Sequence, residues 1–278
     1  MVLKIGTNTI HDTVLRNLSE TQKKTDKALE QLSSGERIVR TSDDVAGAGI
    51  IDKLKAQVRS LQQASRNAQD AISMIQVAEG GLSEISNVLV RLRELSIQSA
   101  SDTVGDSERD LLHREFQQLV KGVDQITDST KINYIQNGHD SGKLGTLTFH
   151  IGANAGEENK IEFDFDMIDT NSNSLGVRDI GVSSKDEALS SIENIDKAIE
   201  KVSGVRASVG AVQSRMQSAF NNLENHIINH EHTRSVIEDV DVAKVASELT
   251  TNEVIKKSAV AVLAQTADMP RNLTKLIS

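Results

Sequence analysis

Between Thr41 and Ala100 the apolar residues Leu54, Val58, Leu61, Ala68, Ile72, Ile75, Leu82, Ile85, Leu89 and Leu92 recur at gaps of three, four or seven. This is the seam of a helix that lies along other helices, and it predicts one long helix over residues 42–100. Ser42 or Asp43 is placed to cap its first amides, and Asp44 puts negative charge near the positive end of the helix dipole. At about 1.5 Å per residue such a rod is roughly 80 Å long, and it needs a partner of similar length. Residues 184–232 supply one. There Leu189, Ile192, Ile195, Ile199, Val202, Val209, Val212, Met216, Phe220, Leu223 and Ile227 repeat the same spacing. A shorter helix over 107–127 carries Leu111, Leu112, Phe116, Leu119, Val120, Val123 and Ile126.

Two thinner stripes flank these. The first, within residues 5–33, holds Ile10, Val14, Leu18, Leu29 and Leu32, interrupted by Gln22 and Thr25. The second follows Thr233 and includes Val240, Val245, Leu249, Val254, Ile255, Val262 and Leu263, with Pro270 expected to end or bend it. Helices this poor in core residues are marginal alone and order when another surface covers them.

The periodicity changes at 133–170. Asn137-Gly138, Ser141-Gly142 and Gly145 are turn chemistry. Leu147, Phe149 and Ile151 then alternate with polar residues, as do Ile161, Phe163 and Phe165 with Glu162, Asp164 and Asp166. That predicts a β-hairpin with one apolar and one acidic face. Tyr134, Phe149, Phe163 and Phe165 are four of the chain's six aromatic residues, so the apolar face is expected to dock on the helices. Residues 169–184 read as a polar connector. The predicted class is mainly α: an elongated antiparallel long-helix bundle with a small β-hairpin region and terminal helices that form an inter-subunit coiled coil. The terminal pair is residues 1–41 with 236–278, and residues 42–235 form a rod.

Composition narrows the function. Aromatic residues are 2% of the chain, with no Trp, so burial rests on Leu, Ile, Val and Ala. There is no Cys, hence no disulfide framework and no Cys-ligated metal. The net charge is −9, and residues 140–187 carry four Lys/Arg against ten Asp/Glu, which argues against a nucleic-acid partner. No apolar run is long enough for membrane insertion, and residues 1–8 lack the pattern of a cleaved secretory signal. His226, His230 and His232 are the one metal-like grouping, without His-Glu-x-x-His spacing, and are read as surface or subunit-facing histidines. Asp43 and Asp44 are better explained by a helix start than by acid–base chemistry, and no Gly-Lys-Ser/Thr follows Gly47 and Gly49. No catalytic constellation and no cofactor site are expected.

Several stretches resemble one family. They are Gln31-Leu32-Ser33-Ser34-Gly35-Glu36-Arg37-Ile38, Ser42-Asp43-Asp44-Val45-Ala46-Gly47, Gln63 to Ser73 (QASRNAQDAIS), Arg91 to Ala100 (RLRELSIQSA), Ile151-Gly152-Ala153-Asn154, Ile237 to Ala243 (IEDVDVA) and Val262 to Ala267 (VLAQTA). In order and number they resemble bacterial flagellins. The resemblance implies a homo-polymer, a helical filament whose inner tube is built by the terminal helices through Ile10, Val14, Leu18, Leu29, Leu32, Val245, Leu249, Val262 and Leu263. With about 15 residues between the hairpin and the second long helix, the chain is similar to a minimal flagellin without a large outer domain.

The same resemblance implies export through the flagellar type III apparatus to an extracellular flagellum, and a flagellar export chaperone at roughly residues 235–278. It also implies filament cap and hook-junction proteins as neighbours. The family's contact with a flagellin-sensing Toll-like receptor falls on Arg91, Leu95 and Glu115, residues that equally suit an inter-subunit contact. The rival readings are a hook–filament junction protein and a cytoplasmic coiled-coil scaffold. An enzyme is the least supported class.

Overall fold

The structure is a computed structural model, and it describes residues 9–135 and 145–277. In chain order the elements are α1 (Thr9–Ser34), α2 (Val45–Ser99), α3 (Asp106–Ile135), β1 (Thr146–His150), β2 (Lys160–Asp164), α4 (Lys185–Glu238) and α5 (Val242–Ile277), with short 3₁₀ turns at Glu157–Asn159 and Phe165–Ile168. The expected class is observed: mainly α, with one small antiparallel sheet. The chain divides into two compact units. One comprises the residues up to Val58 and from Asn229; the other is Arg59–Ile228.

In the Arg59–Ile228 unit, α2 and α4 run antiparallel. Arg93 Nε donates to Asp196 Oδ1 at 2.7 Å, and Ser65 Oγ donates to Glu224 Oε1 at 2.8 Å. Between these pairs the numbering falls by 28 on α2 and rises by 28 on α4. The seam is the heptad stripe expected: Ile75, Leu82, Ile85, Leu89 and Leu92 from α2 and Ile195, Val202, Val209 and Met216 from α4 are buried, with Phe116 and Val123 from α3. The N-terminal end of the α4 stripe is shifted by one residue, because Ala188 faces inward and Leu189 is exposed.

The hairpin pairs Leu147 with Phe163 and Phe149 with Ile161. Leu147, Ile161 and Phe163 join the helical core while Glu162 and Asp164 face water. Phe165 starts a 3₁₀ turn and packs edge-on against Phe163, with ring centroids 4.6 Å apart. The turn signals at Asn137-Gly138 and Ser141-Gly142 and the docking of the Tyr134 ring lie outside the described residues, as does the helix start expected before Thr9.

Five expectations are corrected. Neither Ser42 nor Asp43 caps α2. Asp44 does, with Oδ1 accepting from Gly47 N at 2.9 Å, while Asp43 turns back to Lys27 and to the amide of Arg40. Helix α3 runs on past the expected 127 to Ile135, and its threonine hydroxyls return to their own helix, Thr127 to Val123 O and Thr130 to Ile126 O. Helix α4 continues past 232 to Glu238, and α5 runs through Pro270 to Ile277, so the lost amide does not end it. Finally, 169–184 is no exposed connector. Thr170, Ser172, Leu175, Val177 and Val182 are all buried.

That strap is legible as physics once seen. Its backbone polar groups are matched by side chains from three helices. Gln117 Nε2 donates to Ile180 O (3.2 Å), Ser191 Oγ to Gly181 O (2.6 Å) and Ser99 Oγ to Val182 O (2.6 Å), while Val182 N donates to His113 Nδ1 (3.2 Å). Asp124 accepts both the amide and the hydroxyl of Ser172 at 2.8 Å.

Candidate functional site

In the unit formed by the two chain ends, α1 packs along α5. The residues that α1 turns inward are small: Thr21, Thr25 and Ala28. The threonine hydroxyls are satisfied within the helix, Thr21 on Asn17 O and Thr25 on Thr21 O, so only their methyl sides meet the neighbour and the backbones come close. Thr25, expected to interrupt the stripe, lies at its buried centre. On α5 the inward residues include Val245 and Thr266.

The large apolar residues of these helices face elsewhere. Ile10 and Leu29 are 57% and 50% exposed, and Leu15 is exposed too. Val14, Leu18 and Leu32 are half-buried. On α5, Val254, Ile255, Val260 and Val262 are exposed, and Leu249 and Leu263 are half-buried. The structure thus divides the predicted seam residues between a partly covered group and a group left bare. Between the two helices an open groove of about 550 Å³ is lined by Lys24, Lys27, Ala28, Gln31, Ser247, Glu248, Thr251 and Asn252. Its lining pairs no nucleophile with a general base.

The two inter-helix connections of this unit are clasped together. Gly35 ends α1 at φ +76°, a left-handed conformation suited to glycine, with its amide on Gln31 O. Arg37 N donates to Glu238 O (2.6 Å), Val240 N donates to Gly35 O (3.0 Å), and Arg37 Nη2 donates to Ile237 O (2.7 Å). The Glu238 carboxylate is buried between Lys55 Nζ and Arg234 Nε. Nothing in the sequence pattern marks Glu238 apart from a neighbouring Asp239 and Asp241.

In the Arg59–Ile228 unit, Arg91 is half exposed and forks onto Glu115 (2.8 Å) and Glu94 (3.1 Å). Glu115 first, then Glu94, holds its guanidinium still more firmly protonated. Leu95, expected to share that exposed face, is fully buried in the core. One helical step of four residues turns about 40° around the axis, enough here to take the side chain from surface to interior. The structure brings Arg91 and Glu115 together at the surface and puts Leu95 in the core. His226 and His232 are exposed and His230 is half-buried, and among the described residues no three His, Asp or Glu side chains are grouped to hold a metal ion. No described helix is long and apolar enough to cross a membrane.

The family model for the bacterial flagellin N-terminal helical region matches residues 5–136, and that for the C-terminal helical region matches residues 192–277. A flagellin of Halalkalibacterium halodurans is 38% identical over 262 residues, 94% of this chain and 95% of that protein. The flagellar filament 31.3 kDa core protein of Treponema maltophilum is 33% identical over 266 residues, 90% and 91% of the two chains. A flagellin of Bacillus subtilis is 32% identical over 312 aligned positions, 99% and 100% of the two chains.

Proposed function

The chain belongs to the bacterial flagellin family, and we propose that it assembles through the bare apolar faces of its paired terminal helices. It is a structural subunit of the flagellar filament, a member of a structural family whose subunits polymerise with copies of themselves. Relatives named as flagellins and filament core proteins favour this over a hook–filament junction protein or a scaffold.

Residues 1–41 with 236–278 form the filament core in this reading, and 42–235 form the outer rod. The observation that carries it is the outward set of Ile10, Leu29, Val254, Ile255 and Val262 beside an inward seam of Thr and Ala. Two helices that cover each other with small residues keep their large ones for a neighbour, and burying each such side chain contributes about 1.5–3 kcal/mol. The partly covered Val14, Leu18, Leu32, Leu249 and Leu263 complete the seam when a second subunit closes over them, around a Val245 already buried within the chain. The exposed Arg91–Glu115 pair suits contact with a neighbouring subunit or a flagellin-sensing Toll-like receptor, while the buried Leu95 serves the core. The α5 segment fits an export chaperone before assembly, with cap and hook-junction proteins at the filament's ends.

Seeded polymerisation tests the reading. Monomer is added to short filament fragments and followed by light scattering and negative-stain images, in parallel for wild type and Val262→Asp. The charge lies in water in the monomer, so the monomer folds, but it enters an apolar contact in the filament. Elongation by wild type and none by the variant is the expected result. Normal filaments from Val262→Asp would refute the assignment of α5.

A further inference from the structure

Glu238 is placed against two general rules. It is the last residue of α4, where the helix dipole disfavours a carboxylate, and its side chain is only 7% exposed. A buried charge in such a place needs partners, and it has two: Lys55 from the first turns of α2 and Arg234 from its own helix. Its carbonyl also accepts the Arg37 amide at 2.6 Å, and the adjoining residue forms the isolated bridge Glu36↔Asp239. The linker after α1, the early part of α2 and the α4–α5 junction therefore meet on this one residue, with the end of α1 tied two residues further on through Val240 N to Gly35 O. Only residues 239–241 separate it from α5, which is 36 residues and so roughly 54 Å long. On such a lever a tilt of a few degrees at the joint moves the far end by several ångström.

We propose that Glu238 is a positioning residue for assembly: its ion pairs with Lys55 and Arg234 fix the direction in which α5 leaves α4, and so present the α1–α5 pair to the next subunit in one geometry. The proposal rests on the assembly reading above. Local stability alone would need only the main-chain bridge. The two cations hold the carboxylate in place, and the carboxylate holds the peptide through which Arg37 is tied.

The experiment compares the full chain as wild type, Glu238→Gln, Lys55→Met and Lys55→Arg. Hydrogen exchange is read at the amides of Arg37 and Val240, which close the clasp. The critical concentration for elongation is read on short seeds, and filament twist by electron cryomicroscopy. Glu238→Gln is expected to exchange about tenfold faster at both amides, the scale for a lost charged hydrogen bond, and to raise the critical concentration by a similar factor with an altered twist. Lys55→Met moves the same way and Lys55→Arg behaves as wild type. Exchange at Leu92 and Val123, in the other unit, stays unchanged and excludes general unfolding. Wild-type exchange in Glu238→Gln overturns the proposal. So does faster exchange with an unchanged critical concentration and twist, because Glu238 would then only stabilise the joint. A wild type that never elongates on seeds overturns the assembly reading and this proposal with it, whereas variants that fail where wild type elongates, without faster exchange, overturn the proposal alone.

Discussion

Leu95→Ala and Arg91→Ala are one helical turn apart, and Leu95→Ala should shift the unfolding equilibrium far more. Leu95 is 0% exposed and belongs to the same cluster as Phe116 and Val120. Truncation removes about three methyl-sized groups from that cluster and leaves a cavity that a seam of long helices closes poorly. Leucine truncations of this kind cost about 2–5 kcal/mol. Arg91 is 49% exposed and its partner Glu115 46%, so their ion pair is screened by water and contributes little to stability. For a unit of this size, about 3 kcal/mol lowers the melting midpoint by roughly 6–12 °C. Native-state hydrogen exchange at the core amides of Leu92 and Val123 reads the loss in the right unit, which a whole-chain melting curve would mix with the other. A Leu95→Ala protein that loses less than about 1 kcal/mol at those amides would refute the buried placement and restore Leu95 to the surface. If the loss is as large as expected, weaker binding of any partner by Leu95→Ala reports a displaced helix, and only Arg91 and Glu115 variants speak about contact.

Three further outcomes follow from the geometry. Ser99→Ala strands the buried Val182 carbonyl, which its hydroxyl meets at 2.6 Å, and should cost about 1–3 kcal/mol by urea unfolding; a neutral result would mean the strap is not held there. Gly47→Ala should destabilise the start of α2 although alanine is the better helix former, since a Cβ would sit 2.5 Å from Asp44 Oδ2 and 2.7 Å from Ile38 Cδ1; a higher melting midpoint would refute it. The hydrogen bond from Lys27, opposed by burial and helped by the Arg40 amide, holds the Asp43 carboxyl below its ordinary 3.8. A depressed carboxyl stabilises the fold above its unfolded value and loses that contribution as pH falls through the folded one, so the tie between α1 and the 40–44 turn should weaken below about pH 4. Lys27→Met should flatten that acid dependence in exchange at the 40–44 amides, and an unchanged profile would refute the pairing.

The long helices were legible because their seams are long. A heptad stripe repeated over many turns, from Leu54 to Leu92 and from Ile192 to Ile227, outweighs any single misplaced residue. The hairpin was legible for the same reason at period two. What the sequence hid depends on single side chains. Leu175, Val177, Ile180 and Val182 show no regular period in an otherwise polar stretch, and only the folded positions of Ser99, His113, Gln117 and Ser191 show that the backbone there can be buried without loss. Thr127 and Thr130 look like a helix end and are not, because a threonine hydroxyl can return to the helix it sits in. Leu95 shows the limit of face arguments: two residues four apart share a side of the helix, yet the boundary between core and water can pass between them.

The terminal helices turn that limit into a mechanism. Counting apolar residues on α1 finds Ile10, Val14, Leu18, Leu29 and Leu32 and assigns them to one seam. The chain's own pairing uses Thr21, Thr25 and Ala28 instead. The two choices differ in energy. A seam of Thr and Ala buries little apolar area, so the α1–α5 pair alone is held weakly, near the margin set by the conformational entropy of ordering it. Had α1 paired with α5 through its isoleucine and leucines, the pair would be firmer and its outer face polar, leaving nothing for a second subunit to cover. Spending the small residues inside and the large ones outside couples the order of the ends to contact with a neighbour. In the proposed assembly a subunit built this way would gain most of its terminal stability on joining the filament, the property a polymer needs if its monomers are not to pair off prematurely.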